Sequence, residues 1–183
     1  LSRLWRVRYD TPDMNGFTIS AAYGTNMLNK SDTNSYYDAA LRYTKTAGDF
    51  KIGAGLGYNV TQPENDDTSE NLMGSVSVLH TPTGLNAALA AGSVMDGGSY
   101  YYLKAGWIGD LVSVGKTAFG VEYYDSTDIG VTNGSGTSWG IMVDQALPHK
   151  IDAYAGYRKY DLTQTGASYM SATSYVIGAK WAF

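Results

Sequence analysis

Cysteine is absent from the 183-residue chain. That excludes disulfides, a thiolate nucleophile and any Cys-ligated metal. Long apolar runs are missing too: none approaches the roughly 18 to 20 residues a membrane helix needs. A helical membrane protein is thereby excluded, but a β-barrel is not, because barrel strands need only about 9 to 11 alternating residues. Proline and phenylalanine are scarce, four of each, so a conventional Leu/Ile/Phe-rich core is not in prospect. Excess positive charge is lacking: the formal net charge is −4 and the pI about 5.0. With no basic run either, nucleic acid is not an expected partner. The opening residues Leu1-Ser-Arg-Leu-Trp-Arg6 carry no apolar signal-peptide stretch. The expectation is that processing removed it or that the natural start lies upstream.

Glycine and tyrosine are abundant instead, 22 and 16 residues. Hydrophobic residues reach 44% at a mean hydropathy of −0.23, so the chain is not a disordered one, and its length suits a single domain. The apolar residues are mostly Ala, Val and Tyr in alternation. Period-2 segments bounded by turn residues predict eleven strands, over 4–11, 16–25, 36–46, 50–61, 71–81, 84–94, 100–109, 115–125, 137–147, 150–161 and 173–183. No segment carries a 3.6-residue period.

The connectors alternate in length. Those at Pro12–Asn15, Ala47–Asp49, Pro82–Thr83, Asp110–Val114 and Pro148–His149 are short. Those at Thr25–Ser35, Gln62–Glu70, Met95–Ser99, Ser126–Gly136 and Leu162–Ala172 are mostly longer and polar. An up-and-down outer-membrane barrel has this asymmetry, with short periplasmic turns and long external loops; a soluble Greek-key sandwich has no reason for it. The predicted fold class is therefore all-β, a transmembrane antiparallel up-and-down barrel.

Each strand has one apolar face. Its aromatics sit near strand ends with small aliphatics between: Phe17 and Tyr23, Tyr37 and Tyr43, Phe50 and Tyr58, Tyr101 and Trp107, Tyr175 and Trp181. Trp5, Phe119, Tyr123, Trp139, Tyr157 and Phe183 share that face. Amphipathic rings prefer the headgroup level, so this pattern predicts two aromatic girdles around a lipid band. A soluble sandwich, the competing reading, would place its largest side chains mid-strand.

The second face carries charge. By alternation Arg6, Arg8, Arg42, Lys51, Lys104, Lys116, Arg158 and Lys180 point inward, as do Asp38, Glu122, Asp144 and Asp152. A dry interior holds so many ions only if nearly all are paired, whereas a water-filled lumen hydrates them. Eight basic groups against four acidic ones predict a mildly positive wall. Arginines facing carboxylates would set a transverse field across a constriction, and Arg6 with Arg8 is the leading pair. For any single one, quiet pairing with a neighbouring strand is the bland alternative.

Other motifs weigh less. Gly53-Ala-Gly-Leu-Gly57 lies inside an alternating strand with no helix after it, so it thins the wall rather than binding a dinucleotide. The acidic run Glu64–Glu70 lacks the Gly and spacing of a calcium loop and reads as a solvated external loop. Asn29-Lys-Ser31 and Asn133-Gly-Ser135 are chance sequons. His80 and His149 lie in or beside turns, and nothing places either with the Ser or Asp of a hydrolase. Neither catalysis, a metal nor a cofactor is expected.

Trp5-Arg-Val-Arg-Tyr-Asp-Thr-Pro12, followed by Asn15-Gly-Phe-Thr-Ile-Ser-Ala-Ala-Tyr-Gly24, resembles a hairpin of the Gram-negative general diffusion porins, most nearly the alphaproteobacterial type. Ala153-Tyr-Ala-Gly-Tyr-Arg-Lys-Tyr160 and Gly178-Ala-Lys-Trp-Ala-Phe183 resemble that family's last two strands. The resemblance implies a 16-stranded homotrimeric barrel that passes small hydrophilic solutes and ions by diffusion, in contact with outer-membrane lipid and lipopolysaccharide. In that family the sixth strand follows an inward-folded constriction loop and faces it with arginines, and Arg6 and Arg8 fall there. It also implies that Phe183 is the terminal aromatic read by barrel assembly. The sequence departs from the pattern by lacking five strands and the constriction loop, and an odd strand count leaves an unpaired edge. The expectation is a barrel missing its amino-terminal part; a complete small barrel of ten or twelve strands is the alternative. On function, the expectation is a passive outer-membrane pore, and the alternative a structural or adhesive barrel with a filled lumen and ligand-binding loops.

Overall fold

Period-2 alternation over nearly the whole chain leaves the backbone one way to satisfy its polar groups, which is pairing between neighbouring strands. The computed structural model, which describes residues 5–26, 34–63, 67–95, 97–130 and 132–182, has this arrangement. Phe183, the sequon at 29–31 and residues 64–66 of the acidic run lie outside the described residues. Eleven strands follow in order: β1 Trp5–Asp10, β2 Phe17–Thr25, β3 Ser35–Ala47, β4 Phe50–Gln62, β5 Ser69–His80, β6 Leu85–Val94, β7 Ser99–Val112, β8 Gly115–Thr127, β9 Gly134–Leu147, β10 Ile151–Gln164 and β11 Ala172–Trp181. They form one antiparallel sheet in which each strand pairs only with its sequence neighbours. The sheet is an open arc from β1 to β11. The only helical element among the described residues is a 3-10 turn at Pro148–Lys150.

All eleven expected strands are present, with shifted ends. β9 begins three residues earlier than its apolar alternation does, and β10 ends three later. Gly134–Gly136 and Leu162–Gln164, read as loop, continue the ladder instead. Beyond an apolar band both faces of a strand are polar, so the alternation fades while the hydrogen bonding goes on. Asp110–Val112 likewise belong to β7, which carries a register shift between Gly109 and Val112 and leaves a two-residue turn. The β1–β2 connection is closed by Asn15 (φ 59°) and Gly16 (φ 95°), with paired bonds from Met14 N–H to the Phe17 carbonyl (2.8 Å) and back (3.2 Å). A Cβ on Gly16 would lie 2.6 Å from the Thr44 carbonyl oxygen, so this turn requires glycine.

The distribution of polarity is inverted relative to a soluble protein. No large hydrophobic residue is buried among the described residues; apart from glycines, those that are buried are the polar Ser20, Asn26, Thr117, Ser126 and Ser138. The accessible surface is 12652 Å², whereas a soluble monomer of 19.7 kDa would expose about 8,600 Å². The soluble-sandwich reading needs a core that this sheet does not have.

Exposure alternates along the strands. In β6 the apolar positions Leu85, Ala87, Leu89 and Ala91 are exposed and the intervening ones half-buried. The face carrying Leu89 is therefore the open, convex one, and the charged face is concave and crowded. On the convex face direct and diagonal cross-strand neighbours bring rings together: Phe17 with Tyr43 at 4.5 Å between centroids, Tyr23 with Tyr37 at 5.1 Å, Tyr101 with Tyr123 (diagonally) at 6.0 Å and Trp107 with Phe119 at 6.1 Å. Trp139 and Tyr157 (5.2 Å) and Tyr157 and Tyr175 (5.3 Å) continue the upper row. Phe50 packs against His80 in the row nearer the short turns. Trp5 opposes Thr25, and Trp181 opposes Ile151. Tyr58 donates from its hydroxyl to Glu70 on the same face. Four to eight residues separate the two rows on a strand, about 13 to 26 Å of chain.

Candidate functional site

Register places the charged positions expected on the inner face on one side of the sheet, with Lys116, which no register pair includes, following by alternation along β8. On β1 to β3, Arg6 opposes Gly24, Arg8 opposes Ala22, and Ala22 in turn opposes Asp38. Small residues on β2 let long side chains of β1 and β3 meet across it. Arg6 pairs with Asp38 in this way. Arg8 grips Asp10 with two bonds, Nε to Oδ2 at 2.8 Å and Nη2 to Oδ1 at 2.7 Å. Arg42 reaches the same carboxylate from β3 at 2.6 Å and also donates to Ser20 Oγ at 2.6 Å; that hydroxyl donates to Asp10 at 2.5 Å. Three arginines and two aspartates thus interleave on one wall. The forked geometry suits arginine and not lysine.

Strands β4 to β6 present little bulk on this face. Gly53, Ser77 and Ala88 lie in one register row, and Gly55, Ser75 and Ala90 in the next. This is the thinned wall expected from the glycine run. Lys51 stands at its lower margin, opposite Thr46 and Leu79.

A second charged cluster occupies β7 to β10. Lys104 opposes Glu122, Glu122 opposes Gly140, and Gly140 opposes Arg158. Arg158 Nη2 reaches Glu122 Oε1 at 2.9 Å over the bare backbone of Gly140, where an added Cβ would come within 3.1 Å of that oxygen. Tyr102 donates to Glu122 Oε2 at 2.6 Å. Arg158 lies 5.6 Å above the Tyr160 ring, and Tyr100 and Tyr124 are 5.9 Å apart and nearly parallel.

The remaining expected residues lie apart from both clusters. Lys116 bonds Asp110 at 3.3 Å at the short-turn rim, well exposed. Asp152 and Lys180 are register partners, and Asp144 opposes Ala118 and Tyr154. His80 is bonded to Thr83 within its own turn at 2.7 Å. Two features escaped the sequence reading. Asp10, at the end of β1 beside a proline turn, is the hub of the first cluster and raises the acidic count. The inward tyrosines 100, 102 and 160 were hidden because a tyrosine adds to the aromatic girdle or to the inner wall according to parity alone; Tyr124 was placed inward by its alternation with Tyr123. Strict alternation was the signal available for both, from Arg6 and Arg8 for Asp10 and from Tyr101 and Tyr157 for the tyrosines.

One exposed apolar face with paired aromatic rows, backed by one face of ionised and small residues in a neighbour-paired meander, defines the wall of a transmembrane β-barrel. The family model for Gram-negative porins matches residues 3–165, and the chain belongs to that family; its place is the bacterial outer membrane. Among solved structures it is similar to OmpT of Vibrio cholerae, an outer membrane protein, in a loop L8 deletion mutant (TM-score 0.60) and in the in-vitro folded form (TM-score 0.55), each at 17% identity. Both matches cover 95% of this chain, which spans only 61% and 60% of those chains. At that identity they bear on the fold alone. No curated protein matches the chain.

Proposed function

We propose that this chain contributes the wall of a water-filled channel through which small hydrophilic solutes and ions diffuse passively across the outer membrane. The observation that carries the reading is the concave face. Its ionised groups are hydrated or paired at the surface and stand beside a strip of Gly, Ser and Ala that leaves room. Selection is by size together with an electrostatic bias from the arginine-rich sector, with no catalytic step. The assembly proposed is the homotrimer that the porin resemblance implies.

Planar-bilayer recording of the full-length protein tests this. Stepwise ohmic currents are expected, and a folded sample that gives none overturns the reading in favour of a filled, structural barrel. Replacing Arg6 and Arg8 together with glutamine should lower anion preference. An unchanged reversal potential would remove them from the selective site.

A further inference from the structure

On a wall built to be wet, large rings are the anomaly. Most of the middle sector is small, and the first cluster is ionic. Yet Tyr102, Tyr124 and Tyr160 lie in one register row across β7, β8 and β10, with Ser138 completing it on β9. Three strand spacings make this row about 14 Å wide. Tyr100 extends the surface by stacking near Tyr124. Exposed apolar area on a hydrated face carries a standing free-energy cost that serine or asparagine would avoid.

The adjacent row, two residues along each strand, reads Lys104, Glu122, Gly140 and Arg158. It is a row of hydrogen-bonding groups with donor and acceptor side by side, since Arg158 and Tyr102 both bond the Glu122 carboxylate. We propose that the paired tyrosine and Lys–Glu–Arg rows of β7 to β10 form a binding track for neutral oligosaccharides on the inner wall. The pyranose C–H faces would stack on the rings, and the hydroxyls would bond the charged row.

The chemistry favours a sugar over the two nearest alternatives. An aromatic anion would meet the Glu122 carboxylate at the centre of the row, which repels it, and Arg158 is already committed to Glu122; Lys104 at the row's edge is the one cation left to attract it. A simple ion has no use for flat rings. A sugar hydroxyl both donates and accepts, so it matches an adjoining carboxylate and guanidinium without breaking their pair. Because each ring contact is weak, the track would hold a passing solute briefly rather than trap it.

The proposal rests on the inner face being water-accessible, as the channel reading requires. Its test reads binding and not conductance, so the two can fail separately. Full-length protein folded in detergent is titrated calorimetrically with maltotriose, cellotriose and xylotriose. Saturable binding of at least one is expected, weakened about two- to tenfold by Tyr124→Ala or Tyr160→Ala. Tyr124→Phe, which keeps the ring, should retain the affinity. Absence of saturable binding by all three sugars overturns the proposal. So does equal loss in Tyr124→Phe and Tyr124→Ala, or binding of benzoate with none of the sugars.

Discussion

Leu103 and Lys104 are adjacent in the chain and belong to different solvents. Leu103 lies between Leu89 and Tyr123 on the convex face; Lys104 lies between Ala88 and Glu122 on the concave one. Nothing in their backbone environment separates them except parity. The difference between the two faces teaches that the fold is stabilised not by a core but by a sorting of side chains between lipid and water, imposed on a ladder whose backbone bonding is the same throughout.

The largest expected effect comes from breaking that sorting. Leu103→Arg should cost about 2 to 4 kcal/mol in a lipid bilayer, read as a lowered unfolding midpoint in urea. Lys104→Leu should leave the midpoint within about 1 kcal/mol while shifting ion selectivity toward cations. Equal destabilisation by the two would mean that the convex face does not meet lipid.

Next comes the passage over Gly140. Gly140→Val should cost about 1 to 3 kcal/mol by overpacking and separate Arg158 from Glu122. A structure of the variant that keeps their 2.9 Å contact would contradict the account of why glycine stands there. On the convex face, Trp139→Leu should cost only about 0.5 to 1.5 kcal/mol through its ring contact with Tyr157, again read from the urea midpoint. The smallest effect on folding is expected at Asp10. Asp10→Asn should raise anion preference, opposite in sign to Arg8→Gln, because the two side chains hold opposite charges in one fork. Reversal potentials moving in the same direction would show that the cluster does not act through its charge.

Much of the architecture was legible because parity is a one-dimensional signal. Phe17, Ile19, Ala21 and Tyr23 name a face without any knowledge of their partners. The same signal failed where its contrast disappears. The outer ends of β9 and β10 are polar on both faces, with Thr137 opposite Asp161, and nothing in their composition distinguishes ladder from loop. Tyr100, Tyr101 and Tyr102 are identical in type and alternate in face, so composition alone cannot say that only Tyr101 belongs to the girdle. Pairing was less legible still. That Arg42 and Arg8 share Asp10 depends on side chains reaching across β2, and neither register nor reach is written locally. Lys159 shows a similar limit: it shares the outward parity of Tyr157 but bonds Asp161 at 3.4 Å near the long-loop end, where a long stem can bring its charge to water.

The register shift near the end of β7 has a consequence for how such a chain tolerates change in length. Within a strand, one inserted residue is a frameshift of solvent: every side chain beyond it changes medium. Between Gly109 and Val112 the molecule makes that shift once, within three residues of a turn, where little strand remains to be inverted. Insertions in the connectors after β8 or β10 would leave all eleven frames intact. Variation in length therefore belongs to the loops, and strand length is held residue by residue.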